Sequence, residues 1–453
     1  MIIVGAGIGG LTTAAYLSKV GIPSLLLEQT NFIGGRCSTR VVNGKRYEVG
    51  ALYVGGGVFD NLRQTFGMRC PSIPIACGIK IGENIVSFPV RLRTLCELRA
   101  CGVPWTEIFR FKYRSRILSN LSTFERYESV GEVFDNLTQN VVLRKFLDST
   151  AGLSGISPYR LSGRYMYTKS PTFRHKSLNP EYLLGGNGRI ASLLFNVAQK
   201  NCTLVFGARV NKILMKGERV EGVETTKGKY SGQVIVSNAG LKPTVLDLMD
   251  SKEWNGDYYN QVRQLQDTLQ VVNIFLTFSR SFNLPKGLIA FLVPNDVNRE
   301  FVLLENGSFP TNSMYILHVP SNIEIESDGD HWATLQFYYP RGGVEPDLLD
   351  IQVNRILRHG LEKLFNGLSR AITSYTVYDP ARYEQEFGFT PYVFGVSPDL
   401  RYKRFSIHTP IDNLFCVGDS VEPDGPCVAQ AMESGLACAR MIAQKLEVHI
   451  SVN

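Results

Sequence analysis

Apolar residues open the chain in a short run, Ile2-Ile3-Val4, and then give way abruptly to glycines. So short and apolar a run predicts a strand buried on both faces, as in a parallel sheet. From Leu11 to Val20 the apolar positions recur at helical spacing and stop at Gly21, a good helix terminator. Ser24-Leu25-Leu26-Leu27-Glu28 predicts a second buried strand. Strand, helix and strand fit within about 30 residues, the size of a crossover unit in a parallel sheet.

The pattern changes twice more. Between about residues 76 and 180 glycine thins out and helical patterning dominates. Glycine punctuation returns at Gly185-Gly186-Asn187-Gly188, before an apolar helix from Ile190 to Ala198. Strands are expected at 204–206, 210–215, 220–223 and 234–239. Val271–Phe278, Met314–Val319, Trp332–Tyr339 and Ile372–Tyr378 carry the β-branched and aromatic content of sheet, and their spacing suggests a separate antiparallel one. The tail from Asn413 to Leu446 predicts a buried strand and then a long helix. The expected fold class is α/β, a Rossmann-like nucleotide-binding domain with a second domain of antiparallel sheet plus helices. The expected division puts 1–75, 181–240 and 396–453 in the first domain. It puts 76–180, as a helical lid, and 241–395 in the second.

Composition adds little to this picture. At 453 residues, 44% hydrophobic and 20% charged, the chain has enough apolar content for two or three cores. A net charge of +7 is mild, and no nucleic-acid signature accompanies it. The nine cysteines include no Cys-x-x-Cys pair and the six histidines no His-x-x-x-His pair, so neither a metal site nor a thiol–disulfide motif is expected. Reduced thiols and the lack of a secretory leader suit a cytoplasmic protein.

Candidate chemistry begins at Gly5-Ala6-Gly7-Ile8-Gly9-Gly10, a G-x-G-x-x-G between a predicted strand and a predicted helix. The glycines permit a tight turn, close approach of a pyrophosphate, and close packing of helix on strand. The uncapped helix N-terminus offers N–H groups to phosphate. Glu28, ending the second strand, is placed to accept from ribose hydroxyls, with Gln29 beside it.

Gly34-Gly35-Arg36 follows Glu28 after five residues. Tyr47-Glu48-Val49-Gly50-Ala51 comes next, and near the end stand Leu414-Phe415-Cys416-Val417-Gly418-Asp419 and Ala431-Met432-Glu433-Ser434-Gly435. With these segments the chain resembles the flavin enzyme superfamily of amine oxidases and phytoene desaturases, closest in look to the phytoene desaturase, carotenoid isomerase and retinol saturase branch. The resemblance implies FAD as cofactor. It implies Arg36 near the pyrophosphate, Gly50 and Ala51 beside the isoalloxazine ring, Val210 and Asn238 in the mid-chain part of the site, and Gly418 and Asp419 at the ribityl chain. It also aims the helix beginning near Val428 and Ala429 at the pyrimidine side of the flavin.

The same resemblance implies an oxidoreductase that desaturates, oxidises or isomerises a hydrophobic carotenoid- or isoprenoid-like substrate by hydride transfer to flavin N5. Without a second dinucleotide fingerprint, oxygen or a quinone is the expected electron acceptor. The segment from Val421 to Ala429 has no aromatic residue, which counts against an amine substrate. A protoporphyrinogen-type or amine oxidase, and a non-catalytic flavin-binding escort protein, stay open. Candidates for a base are Glu422, Asp424 and His175, each also readable as a surface residue. In Arg91–Arg116, seven basic residues interleave with Leu92, Trp105, Phe109 and other apolar ones. That pattern suits a helix resting on an anionic membrane surface, and equally a solvated helical face.

Overall fold

The computed structural model describes residues 1–88, 90–118, 128–163, 180–282, 284, 288–294, 296–323, 329–400, 404–423 and 427–446. Among them, five parallel strands form one sheet in the order Cys202–Val205, Ser24–Leu27, Ile2–Val4, Ile235–Ser237, Leu414–Cys416. Strands from the two ends of the chain therefore share a sheet. Side chains of all but the edge strand Cys202–Val205 are almost all buried, as expected of a sheet covered on both faces.

The helices Ile8–Lys19, Arg189–Ala198 and Cys427–Lys445 pack together beside this sheet. The first and last of them cross at glycines. A Cβ on Gly435 would lie 2.4 Å from the Gly9 carbonyl oxygen, and one on Gly9 would lie 2.9 Å from Gly418 N. Thr13 Oγ1 donates across the crossing to the carbonyl of Gly435.

The second large sheet has the order Ile372–Tyr378, Gln270–Phe278, His331–Tyr339, Tyr315–His318, Leu288–Leu292, Ala76–Ile81, Asn84–Phe88. Two expectations need correction here. The sheet is not purely antiparallel, since Leu288–Leu292 pairs in parallel with Ala76–Ile81. The stretch from 76 to 88 is a hairpin and not part of a helical block. Its sequence carries a period of two, with Cys77, Ile79 and Ile81 buried, and it turns at Gly82 with φ 58°. Helices follow only from Leu92: Leu92–Ala100, Trp105–Leu118, Val130–Leu137 and Val141–Gly152.

Three smaller units complete the frame; in one, Pro180–Leu183 pairs with both Val54–Gly55 and Ser72–Pro74. Val210–Lys216, Arg219–Thr225 and Gly228–Ser231 form an antiparallel meander. Thr39–Val42 and Lys45–Glu48 form a hairpin whose Asn43-Gly44 turn has positive φ at both residues, 50° and 72°, the geometry that suits a two-residue loop. That hairpin packs against the second large sheet. Tyr47 stacks on Phe275 with centroids 4.5 Å apart, and Thr334 Oγ1 donates to Glu48 O.

Candidate functional site

The first strand leaves the parallel sheet at Gly5, whose φ of 91° turns the chain into the helix Ile8–Lys19. A Cβ on Gly10 would sit 2.2 Å from the Gly5 carbonyl oxygen, so helix and strand approach this closely only with glycine there. A Cβ on Gly7 would meet Asn238 Nδ2 at 2.5 Å. Gly7 thus makes room for Asn238 as well as for a ligand. No side chain caps this helix, so its first N–H groups remain available to an anion.

Glu28 is buried and more committed than its sequence position implies. Oε2 accepts from Ala6 N at 2.8 Å, and Oε1 accepts from Thr30 N at 2.9 Å and Thr30 Oγ1 at 2.8 Å. The carboxylate pins the fingerprint turn to its own loop and keeps limited lone-pair capacity for a ribose hydroxyl.

Arg36 departs further from expectation. Its Nη2 lies 2.6 Å from Asp419 Oδ1, so the two residues expected at the pyrophosphate and the ribityl chain hold each other. Burial disfavours the Arg36 charge, but the Asp419 carboxylate more than offsets it and raises the guanidinium pKa. Arg404 supports the pair. It donates to Asp419 O through Nη1 and to Gln430 Oε1 through Nη2, and Gln430 Nε2 donates to Val421 O. Asp419 therefore anchors a loop and does not cap the helix, which begins at Cys427.

The Gly50-Ala51 segment is braced from two sides. A Cβ on Gly50 would lie 2.1 Å from Arg36 O, and Ala51 N donates to that same carbonyl. From the other side Glu48 accepts from Thr39 Oγ1 and Asn187 N, while Asn187 Nδ2 donates to Ala51 O. The mid-chain glycine cluster earns its place here. Gly186 and Gly188 both abut Thr39 too closely for a Cβ, which lets Asn187 reach Glu48 and Ala51. Nothing in the local sequence signals this buried Glu48–Asn187 network, because its members lie 139 residues apart.

These segments line one cavity of about 1980 Å³. Of the expected cofactor residues, Gly5, Gly7, Ile8, Gly9, Glu28, Gln29, Gly35, Arg36, Gly50, Ala51, Val210, Asn238, Gly418, Asp419, Val428 and Ala429 are on its wall. Ala6 and Gly10 do not line it. Cys37 and Cys427 also face it; burial keeps both thiols protonated, Cys427 with a pKa pushed up to about 12. Glycine cradles, an uncapped helix start and a cavity running on to Gly418 and Ala429 fit an extended dinucleotide such as FAD.

The rest of the wall was not foreseen. Beyond Gly50 the cavity runs over Val271, Ile316, Gln336 and Tyr338 of the large sheet and over Met314 just before one of its strands. Tyr383, Phe389, Tyr392 and Phe394 close it. An argument from the missing aromatic residue between Val421 and Ala429 therefore loses its force, because the aromatic wall comes from 383–394. Of the candidate bases, Glu422 is exposed and is not among the lining residues. Asp424 and His175 lie outside the described residues.

A family model described as an NAD(P)-binding Rossmann-like domain matches residues 3–68. Similarity to curated proteins runs nearly end to end. Prolycopene isomerase 2, chloroplastic, of an Oncidium hybrid cultivar is 22% identical over 98% of this chain and 84% of its own length. The 1-hydroxycarotenoid 3,4-desaturase of Flavobacterium sp. (strain P99-3) is 26% identical over 94% and 95%. The chain is an oxidoreductase of the FAD-dependent type, similar over nearly its whole length to carotenoid isomerases and desaturases. Solved structures share the fold. An oxidoreductase from Methanosarcina mazei superposes with TM-score 0.73 at 16% identity, covering 97% of this chain and 99% of that one. Cyclohexylamine oxidase from Brevibacterium oxydans IH-35A superposes with TM-score 0.62 at 14% identity, covering 98% and 99%.

Proposed function

We propose that this oxidoreductase desaturates, oxidises or isomerises a hydrophobic, carotenoid- or isoprenoid-like molecule. The continuity of one cavity from the glycine fingerprint to an apolar sheet face carries this reading. Bound FAD supplies a two-electron acceptor for a hydride from a substrate carbon. The chain's own part is to orient and to exclude water. Val271, Met314, Ile316 and Phe394 present an apolar surface on which a long hydrocarbon loses little by desolvation. The N-terminal turn of Cys427–Lys445 brings its N–H groups and the positive end of its dipole to the cavity at Val428 and Ala429, where negative charge is stabilised. The sites named above for Glu28, Arg36, Val210 and Asp419 are part of this proposal, as is the division of the chain into cofactor-binding and substrate-binding domains. So is oxygen or a quinone as electron acceptor.

The curated relatives named above as a carotenoid isomerase and a carotenoid desaturase support the substrate class. A second reading, an amine oxidase, draws support from the aromatic wall of Tyr383, Phe389, Tyr392 and Phe394. Mass spectrometry of the small molecules, lipophilic and polar, retained by the purified yellow protein tests between them. Polyenes or prenyl lipids support the first reading, and only polar amines would overturn it.

The reading extends to a membrane surface as source of substrate. Among the described residues no helix is long and apolar enough to cross a bilayer. On the helices Leu92–Ala100 and Trp105–Leu118, however, Leu92 is 78% exposed, Phe109 63%, Tyr113 69% and Trp105 44%. Arg93, Arg99, Lys112 and Arg114 stand exposed among them. Exposed aromatics flanked by cations suit shallow insertion into an anionic interface. The strand leading into these helices ends at Phe88, which lines the cavity.

A further inference from the structure

Where the large sheet lines the cavity, it presents the side-chain amide of Gln336 beside Val271 and Ile316. Gln336 lies on His331–Tyr339, between Ile316 on one neighbouring strand and Asn273 on the other. It is 9% exposed and lines the cavity. Its Nε2 donates to Asn273 Oδ1 at 2.6 Å. Asn273 is fully buried, and its Nδ2 has no partner. The two side chains therefore form a buried amide pair, and the hydroxyls of Thr334 and Tyr338 on the same face are already spent on backbone carbonyls. One heteroatom of Gln336 is spent on Asn273, and Oε1 is left for whatever occupies the cavity.

A buried amide with an unmet heteroatom disfavours a pure hydrocarbon against it, because the hydrocarbon strips water from the oxygen and returns nothing. A hydroxyl group returns a hydrogen bond. It does so whichever way the amide pair is oriented, since a hydroxyl both donates and accepts. Position adds a constraint. Thr334, two residues along the same strand and on the same face, donates to Glu48 O next to the Val49-Gly50-Ala51 wall. Two strand residues span about 7 Å. The amide thus lies near the cofactor end of the cavity and not at its remote end.

We propose that Gln336, positioned by Asn273, is a specificity-determining residue that hydrogen-bonds a hydroxyl group close to the reacting carbons, so that the substrate is an oxygenated isoprenoid. This rests on the oxidoreductase reading above and sharpens its substrate class.

The test titrates FAD-loaded protein with geranylgeraniol and with its deoxy hydrocarbon, following the flavin absorbance spectrum. The wild type is expected to bind the alcohol about five- to tenfold tighter. Gln336→Leu is expected to abolish that preference. The double variant Asn273→Leu/Gln336→Leu, which leaves no amide unpaired, is expected to do the same with the fold intact. Equal affinities in the wild type, or a preference that survives in both variants, would overturn the proposal while leaving a hydrophobic substrate in place. Failure of both ligands to perturb the flavin would overturn the proposal and the hydrophobic-substrate reading together.

Discussion

Arg36 and Asp419, 383 residues apart, meet in a 2.6 Å ion pair on the cavity wall. The pair joins the glycine loop near the N-terminus to the last strand's exit loop, and Arg404 fixes the backbone of the second partner. Asp419 is mostly buried, with a side-chain exposure of 11%. Asp419→Asn keeps the shape but leaves the guanidinium without its counter-charge. FAD affinity is expected to fall about 10- to 100-fold, with the fold retained. Titration of apoprotein with FAD, followed by flavin fluorescence, measures it. Unchanged affinity would show that the pair braces the loop without serving the cofactor.

The helix crossing gives a stability prediction. Gly435→Ala places a methyl group 2.4 Å from the Gly9 carbonyl oxygen, a backbone atom that cannot swing away. Overpacking of this kind costs ~1–3 kcal/mol. A fall in thermal midpoint is expected, together with weaker FAD retention, because Gly9 carries part of the cavity wall. Gly21→Ala has open space around it but a φ of +79°, so it should cost backbone strain alone and leave FAD retention unchanged.

Two buried groups contribute opposing slopes to the pH dependence of stability. Burial raises the Glu300 carboxyl from an ordinary 4.5 to about 8, opposed by its bond from Met314 N. Folded protein then holds an extra proton between those values, so this group costs stability as pH rises from about 4.5 to 8. Burial lowers His318 from 6.5 to about 3, so it costs stability as pH falls across that range. Where the two windows overlap, from about 4.5 to 6.5, the slopes oppose each other. The outer arms are each steeper, by up to ~1.4 kcal/mol per pH unit. In urea melts across pH, Glu300→Gln should flatten the alkaline arm and His318→Phe the acid arm. An unchanged profile in both variants would contradict this assignment.

The membrane proposal is tested by sedimentation with vesicles rich in phosphatidylserine. Binding at moderate salt is expected, with loss in Phe109→Ser/Tyr113→Ser, since each exposed aromatic contributes ~1–2 kcal/mol when inserted. No pelleting of the wild type would return this face to the role of a solvated helix pair.

The cofactor half of the site was legible because its information is local. Strand, glycine turn, helix and acid occupy consecutive residues, and each glycine from Gly5 to Gly10 answers to a contact within the same unit or to Asn238. The substrate half was illegible because its members meet only through long-range pairing. Gln336 touches Asn273 across a sheet, and the aromatic wall combines Tyr383 of the short helix Pro380–Phe387 with Phe389, Tyr392 and Phe394 of the segment after it. The hairpin at 76–88 was missed because its glycine turn is brief and the helices that follow dominate the pattern. Even within the legible half, the sequence indicated which residues gather but not that Arg36 and Asp419 would bind each other.

The most direct test mixes the FAD-loaded protein anaerobically with an oxygenated prenyl substrate or with the lipid recovered from the protein itself, and follows the flavin absorbance band. Bleaching of the oxidised band, with reoxidation on admitting air or a quinone, is the result expected for a flavin oxidoreductase acting on a hydrophobic molecule. A band that stays oxidised with every hydrophobic ligand, yet bleaches with a small amine, would contradict the account.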